Sequence, residues 1–251
     1  MDKPSRGLVI LNLTTVVVMA LSLVLIFFYA PQERVMGEVQ RIFYWHAPGA
    51  WMSMVAFGIT ALTGVIYLLT RRRAWDMISR SSVEIGLVFT LMTIVSGSIW
   101  ARPAWNTWWT WDPRLTTYTI VALIYVAYVM LRQGIEDPER AARFAAVYGL
   151  VGFVSVPITW FSIRWWRTIH PVVIGSNSST AEGGFDMTRP MLWVFLFCNL
   201  AFPLLYACLL ANRVRLERLH ERVEQAKARL YASEGDAYAA AAAAPRHAEY
   251  R

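Results

Sequence analysis

Two of the chain's four histidines, His46 and His170, sit in segments crowded with tryptophan. His46 lies in Tyr44-Trp45-His46-Ala47-Pro48-Gly49-Ala50-Trp51, and His170 in Arg164-Trp165-Trp166-Arg167-Thr168-Ile169-His170-Pro171. Between them, residues 100–111 hold five tryptophans in twelve positions. Imidazole is a common axial ligand of heme iron, and indole planes bury much apolar area and stack on other π systems. Two imidazoles could bind one iron from opposite sides of a porphyrin while indoles pack its faces and edges. Such a six-coordinate site suits holding or transferring heme better than activating oxygen. Zinc fits less well, because two histidines without nearby Cys or Glu supply too few ligands. Outside the apolar segments, Arg41, Arg102, Arg114, Arg164, Arg167 and Arg189 offer guanidinium groups for the two propionates. Spacing alone does not choose among them. His220 and His247 fall in the charged and low-complexity tail and read as solvated side chains.

Other cofactor chemistry finds little support. Cys198 and Cys208 lie inside one apolar run with no CxxC, which argues against thiol exchange and thioether attachment. No GxxxxGK[ST] phosphate loop is present, so ATP hydrolysis would have to belong to another chain.

The elements that must carry these residues are membrane helices. Of 251 residues, 57% are hydrophobic and 16% charged, against about 25% charged in soluble domains. A bilayer core of about 30 Å needs roughly 20 apolar residues per helix. Six runs are long enough: about 8–29, 46–70, 83–101, 115–131, 144–161 and 191–210. The expected fold is therefore an all-α polytopic membrane protein, with the first run kept as a helix because no small-x-small cleavage site precedes Pro31. The net charge of +7 does not mark a nucleic-acid binder, since the basic residues flank apolar runs. Seventeen of the 24 Lys and Arg fall in the N-terminal segment, the second and fourth loops and the tail. That bias predicts cytoplasmic termini, with loops one, three and five outside.

Under this topology Trp75 alone lies near the inner face, and the other eleven tryptophans lie near the outer one. An interfacial aromatic belt would enrich both surfaces, so the asymmetry favours a binding platform. Within the third loop, Trp105, Trp108 and Trp109 share a face if the segment is helical, and Pro103 and Pro113 are expected to bound it. Asp112 before Pro113 suits an N-cap and first helical position, predicting that the fourth helix starts there. Residues 175–184, rich in Ser, Asn and Gly, read as a candidate lid.

The domain plan is a six-span unit over 1–211, a cytoplasmic amphipathic helix over 212–232 and a low-complexity, frayed tail over 233–251. Leu216, Leu219, Val223, Ala226 and Leu230 recur at helical spacing in the second of these.

The string Trp108-Trp109-Thr110-Trp111-Asp112-Pro113-Arg114-Leu115-Thr116 resembles the "WWD" signature of heme-handling proteins in cytochrome c maturation. With one outer histidine before the motif and one after it, residues 35–210 are similar to the heme exporter protein C (CcmC) family of System I. The resemblance implies His46 and His170 as axial metal ligands of a non-covalent b-type heme. It places Trp105, Trp108, Trp109, Trp111, Asp112 and Arg114 in the heme platform. It further implies a heme carrier in the bacterial inner membrane, with its site facing the periplasm, and no enzymatic activity of its own. The implied partners are a periplasmic heme chaperone (CcmE-like), ABC transporter membrane and ATPase subunits (CcmB- and CcmA-like) and a small single-span subunit (CcmD-like). Larger synthases with the same motif carry extra spans and further histidines that this chain lacks.

Three other readings stay open at this level. A heme channel would need polar groups inside the bilayer, whereas the six apolar runs contain no Lys, Arg or Asp, and their one histidine, His46, stands at the outer end of the second. The same scarcity weighs against a transporter coupling a small solute to ions. A structural subunit docking a cytoplasmic partner through its tail helix is the third.

Overall fold

The computed structural model describes residues 3–34, 36–171 and 187–243, with side chains to residue 232. The chain divides into two compact units, Met1–Ala211 and Asn212–Arg251. The described residues form seven α-helices and no strand: α1 (Arg6–Val24), α2 (Phe43–Thr70), α3 (Arg73–Trp105), α4 (Pro113–Gln133), α5 (Pro138–Phe153), α6 (Ser155–Trp165) and α7 (Arg189–Ala243). Six helical segments are long and apolar enough to cross a membrane.

Local chemistry sets most helix ends. The Ser5 side chain accepts from the Leu8 amide and starts α1. The last turn of α1 widens into a π-turn over Leu25–Tyr29, and its carbonyls at Ile26 and Ala30 accept from the Arg41 guanidinium. Arg41 also pairs with Glu38, on the 3-10 turn Glu38–Ile42 that leads into α2. Asp112 and Asp137 cap α4 and α5, each followed by proline at the first helical position.

The helices are longer than the apolar cores. The third span starts at Arg73, not near 83, and only Arg71 and Arg72 separate it from α2. A buried carboxylate explains the extension. Asp76, on the first turn of α3, is held by Arg132 of α4 at 2.5 and 2.9 Å and by Arg73 at 2.8 Å. Charged residues there are carried by the fold, so the apolar run underestimates the helix. By the same lengthening, Arg114 lies within a span, and His46, the first residue of its expected run, lies inside a span that starts at Glu38.

The fifth span is not one helix. It breaks at Val154, between α5 and α6. Pro157 has no amide to offer the Phe153 carbonyl, and its ring crowds that turn; at the same break Ser155 Oγ donates to the neighbouring Gly152 carbonyl at 2.6 Å. Pro103 corrects another expectation, since it lies inside α3 and does not bound the tryptophan loop. The non-helical stretch runs from Asn106, in the left-handed region at φ 55°, to Asp112.

Within the first unit, α2 packs against α3 and α5, and α4 against α5 and α6. Met191, Val194, Phe195 and Cys198 of α7 join Phe43, Tyr44, Ala47 and Trp100 in one buried cluster. Phe57 and Tyr125 stack at 3.6 Å in another. In the second unit, Leu216, Val223 and Leu230 are exposed. Helix continues to Ala243, past Ser233 where a frayed chain is expected. Alanine is the strongest helix former, and Pro245 follows shortly after.

Candidate functional site

One predominantly apolar cavity of about 270 Å³ collects residues from α2, α3, α4, α6 and the two loops around 106–112 and 166–171. Its walls include both His46 and His170, which are 124 positions apart in the sequence.

Each imidazole has its Nδ1 engaged, by different means. His46 Nδ1 lies 3.0 Å from Ser96 Oγ, and that hydroxyl donates to the Thr93 carbonyl at 3.3 Å. When Ser96 Oγ gives its proton to that carbonyl it accepts from His46 Nδ1–H, the tautomer that leaves Nε2 its lone pair. His170 Nδ1 lies 3.1 Å from the Pro171 carbonyl. A carbonyl can only accept, so Nδ1 carries the proton and Nε2 is again left as the ligating atom. Burial pushes the His170 imidazole down to about 3, with the Arg114 charge and then His46 adding to the effect. It is therefore neutral at ordinary pH, as a metal ligand must be.

His46 rides on α2, and its ring meets Trp100 edge to face at 5.8 Å. Gly97 makes room for it, because a Cβ there would stand 2.9 Å from His46 Cε1. His170 has no helix beneath it. Its segment leaves α6 at Trp166 in extended conformation and is held by Asp112. One carboxylate oxygen of Asp112 accepts from Thr168 Oγ1 at 2.6 Å, and the other from the Ile169 amide at 3.0 Å.

The tryptophans divide into two groups. Trp105 and Trp109 line the cavity with Trp51, Trp100 and Trp160, and the buried Trp109 Nε1 has no partner among the described residues. Trp108 and Trp111 are exposed, at 58% and 75%, and do not line it. Asp112 is buried and also stands outside the wall. Arg114 does line it. Its guanidinium donates to the Thr159 and Trp160 carbonyls and lies over the Trp160 ring at 5.8 Å. Among the other arginines considered, Arg164 lines the cavity, while Arg41 faces the end of α1. The candidate lid, 175–184, lies outside the described residues.

Comparison with known proteins decides the family. The model of the family described as heme exporter protein C (CcmC) matches residues 4–229. The chain belongs to the heme exporter protein C family. Heme exporter protein C of Bradyrhizobium diazoefficiens is 36% identical over 194 residues, covering 77% of this chain and 72% of the relative. A putative cytochrome c biosynthesis ccmC-like mitochondrial protein of Marchantia polymorpha is 36% identical over 173 residues, 69% of this chain and 71% of its own length. Heme exporter protein C of Escherichia coli is 32% identical over 207 residues, 82% and 81% of the two chains.

Several members of the site escape sequence reasoning. Ser96 and Gly97, one helical turn before Trp100, support His46 across 50 positions. Thr168 carries the Asp112 contact across 56. A hydroxyl two residues before a histidine is too common to signal this, and only the packing of α3 on α2 tells which serine meets which imidazole.

Proposed function

We propose that this chain binds heme non-covalently between His46 and His170 and presents it, at the periplasmic face, to a heme chaperone. Membership of the heme exporter protein C family supports a role in heme handling for cytochrome c biogenesis, as a carrier component and not an enzyme. The observation that supports the site is that both histidines line one cavity, each with Nδ1 engaged.

The lining fits heme chemically. Indoles of Trp51, Trp100, Trp105, Trp109 and Trp160 supply π surface, and Arg114 and Arg164 supply positive charge to oppose propionates. The orphaned Trp109 Nε1–H adds a donor seeking an acceptor. Bound heme would contribute the iron that both imidazoles grip; the protein contributes binding, orientation and exclusion of water. At about 270 Å³ the cavity is smaller than most small-molecule sites, roughly 300–1,000 Å³. A porphyrin would therefore extend beyond it.

The bias of Lys and Arg toward the segments at the opposite end supports a bacterial inner membrane protein with cytoplasmic termini. The proposed partners are the periplasmic chaperone, ABC transporter membrane and ATPase subunits and a small single-span subunit. Presentation is favoured over a channel because the buried charge near the other end is engaged in the Asp76–Arg132–Arg73 cluster. Purified protein should show a low-spin, bis-histidine absorption spectrum. His46→Ala and His170→Ala should each abolish it, and unchanged spectra in both variants would end the assignment.

A further inference from the structure

Asp112 is the most heavily used carboxylate at the site's end of the molecule, yet it does not line the cavity. Its Oδ2 accepts from the Arg114 amide at 3.0 Å, which caps α4, and from Thr168 Oγ1 at 2.6 Å. Its Oδ1 accepts from the Ile169 amide at 3.0 Å. Thr168 Oγ1 in turn accepts from the His170 amide at 3.1 Å. Both Asp112 and Thr168 are buried, at 9% and 2% exposure. A non-helical segment is thus fastened at Thr168 and Ile169, two and one residues before His170, to the N-cap of a membrane helix, and the His170 amide is bonded back onto Thr168.

We propose that Asp112 is a positioning residue for His170, acting through Thr168 and the Ile169 amide without touching the ligand. The inference rests on the reading of His170 as an iron ligand. A carboxylate is required because three donors converge on two oxygens. An asparagine amide would turn its NH2 group toward at least one of them, so one bond is lost if it replaces Oδ1 and two if it replaces Oδ2. Thr168 must be a hydroxyl, because it both donates to Asp112 and accepts from His170. Valine keeps its shape and does neither.

The variants are Asp112→Asn, Thr168→Val and Thr168→Ser in the full-length protein, beside His170→Ala. Two readouts separate the inference from the reading beneath it. In heme-loaded protein, Thr168→Val and Asp112→Asn should replace part of the low-spin spectrum with the high-spin one that His170→Ala gives in full, and added imidazole should restore it. Thr168→Ser should match the parent. In heme-free protein, amide hydrogen exchange in peptides covering 166–171 should rise roughly fivefold or more in Thr168→Val and Asp112→Asn, and stay unchanged in Thr168→Ser. Thr168→Val leaves the α4 cap intact, so it decides the matter if Asp112→Asn fails to fold. Parent-like spectra and exchange in Thr168→Val overturn the inference. A His170→Ala spectrum identical to the parent overturns the ligand reading, while the exchange result still judges the clamp.

Discussion

Ser96→Ala probes how far the His46 ligand depends on a neighbour that never touches heme. The substitution removes one oxygen and leaves Cβ in place, so packing of α3 on α2 is preserved. What disappears is the acceptor 3.0 Å from His46 Nδ1. The ring then keeps the Thr93 backbone contact but loses its side-chain partner, which costs about 1–2 kcal/mol. The imidazole is also freed to rotate or exchange tautomers, which works against Nε2 as the ligating atom. At 1.4 kcal/mol per tenfold, the loss corresponds to roughly 5- to 30-fold weaker heme binding. Gly97→Ala attacks the same ring from its side. A Cβ 2.9 Å from Cε1 and 3.5 Å from Nδ1 must push the imidazole by about half an ångström in a packed interior. Its effect should equal or exceed that of Ser96→Ala. Heme titration of the purified variants, followed by absorption, measures both. Parent-like affinity and spectrum in the two variants together would refute the claim that α3 orients this ligand.

Three further outcomes follow from the same geometry. His170 is held near 3 in the folded protein, below the ordinary histidine value of about 6.5. The fold prefers the neutral ring, so its contribution is complete above about 6.5 and is lost as pH falls from there toward 3. Histidine-ring NMR of heme-free protein should show His170 neutral at about pH 5, and a midpoint near 6.5 would contradict this. Asp76→Asn should leave the heme spectrum intact but lower thermal stability in detergent, because it strands the buried Arg132 guanidinium. Such uncompensated charges cost about 3 kcal/mol or more, and an unchanged melting temperature would count against it. Trp109→Ala should weaken heme binding while Trp111→Ala, exposed at 75%, should not; equal effects would refute the division of the tryptophans.

Much of the architecture is readable from residues alone, for a physical reason. Lipid leaves backbone amides no partner outside the helix, so apolar runs of about 20 residues report spans directly. Asp112-Pro113 marks the start of α4 because capping is a local bond that needs no tertiary partner. The helix ends that differ from the apolar runs depend on distant groups. Arg73 begins α3 ten residues before the apolar run because Asp76 meets Arg132, 56 positions away. The break at Val154 is in principle local, yet Pro48, Pro103 and Pro203 lie inside helices that continue. Neighbouring packing decides which proline interrupts.

The site divides in the same way. Residue type and spacing determined that imidazoles and indoles capable of gripping a flat aromatic ligand exist in this chain, because that capacity belongs to the side chains themselves. Only the tertiary structure decided which of them share a wall: Trp109 but not Trp111, Arg114 but not Arg41. It also made Asp112 a tether for the His170 segment. Direction in space depends on contacts between helices that meet only after the chain has packed, and no sequence periodicity encodes which hydroxyl will face which imidazole.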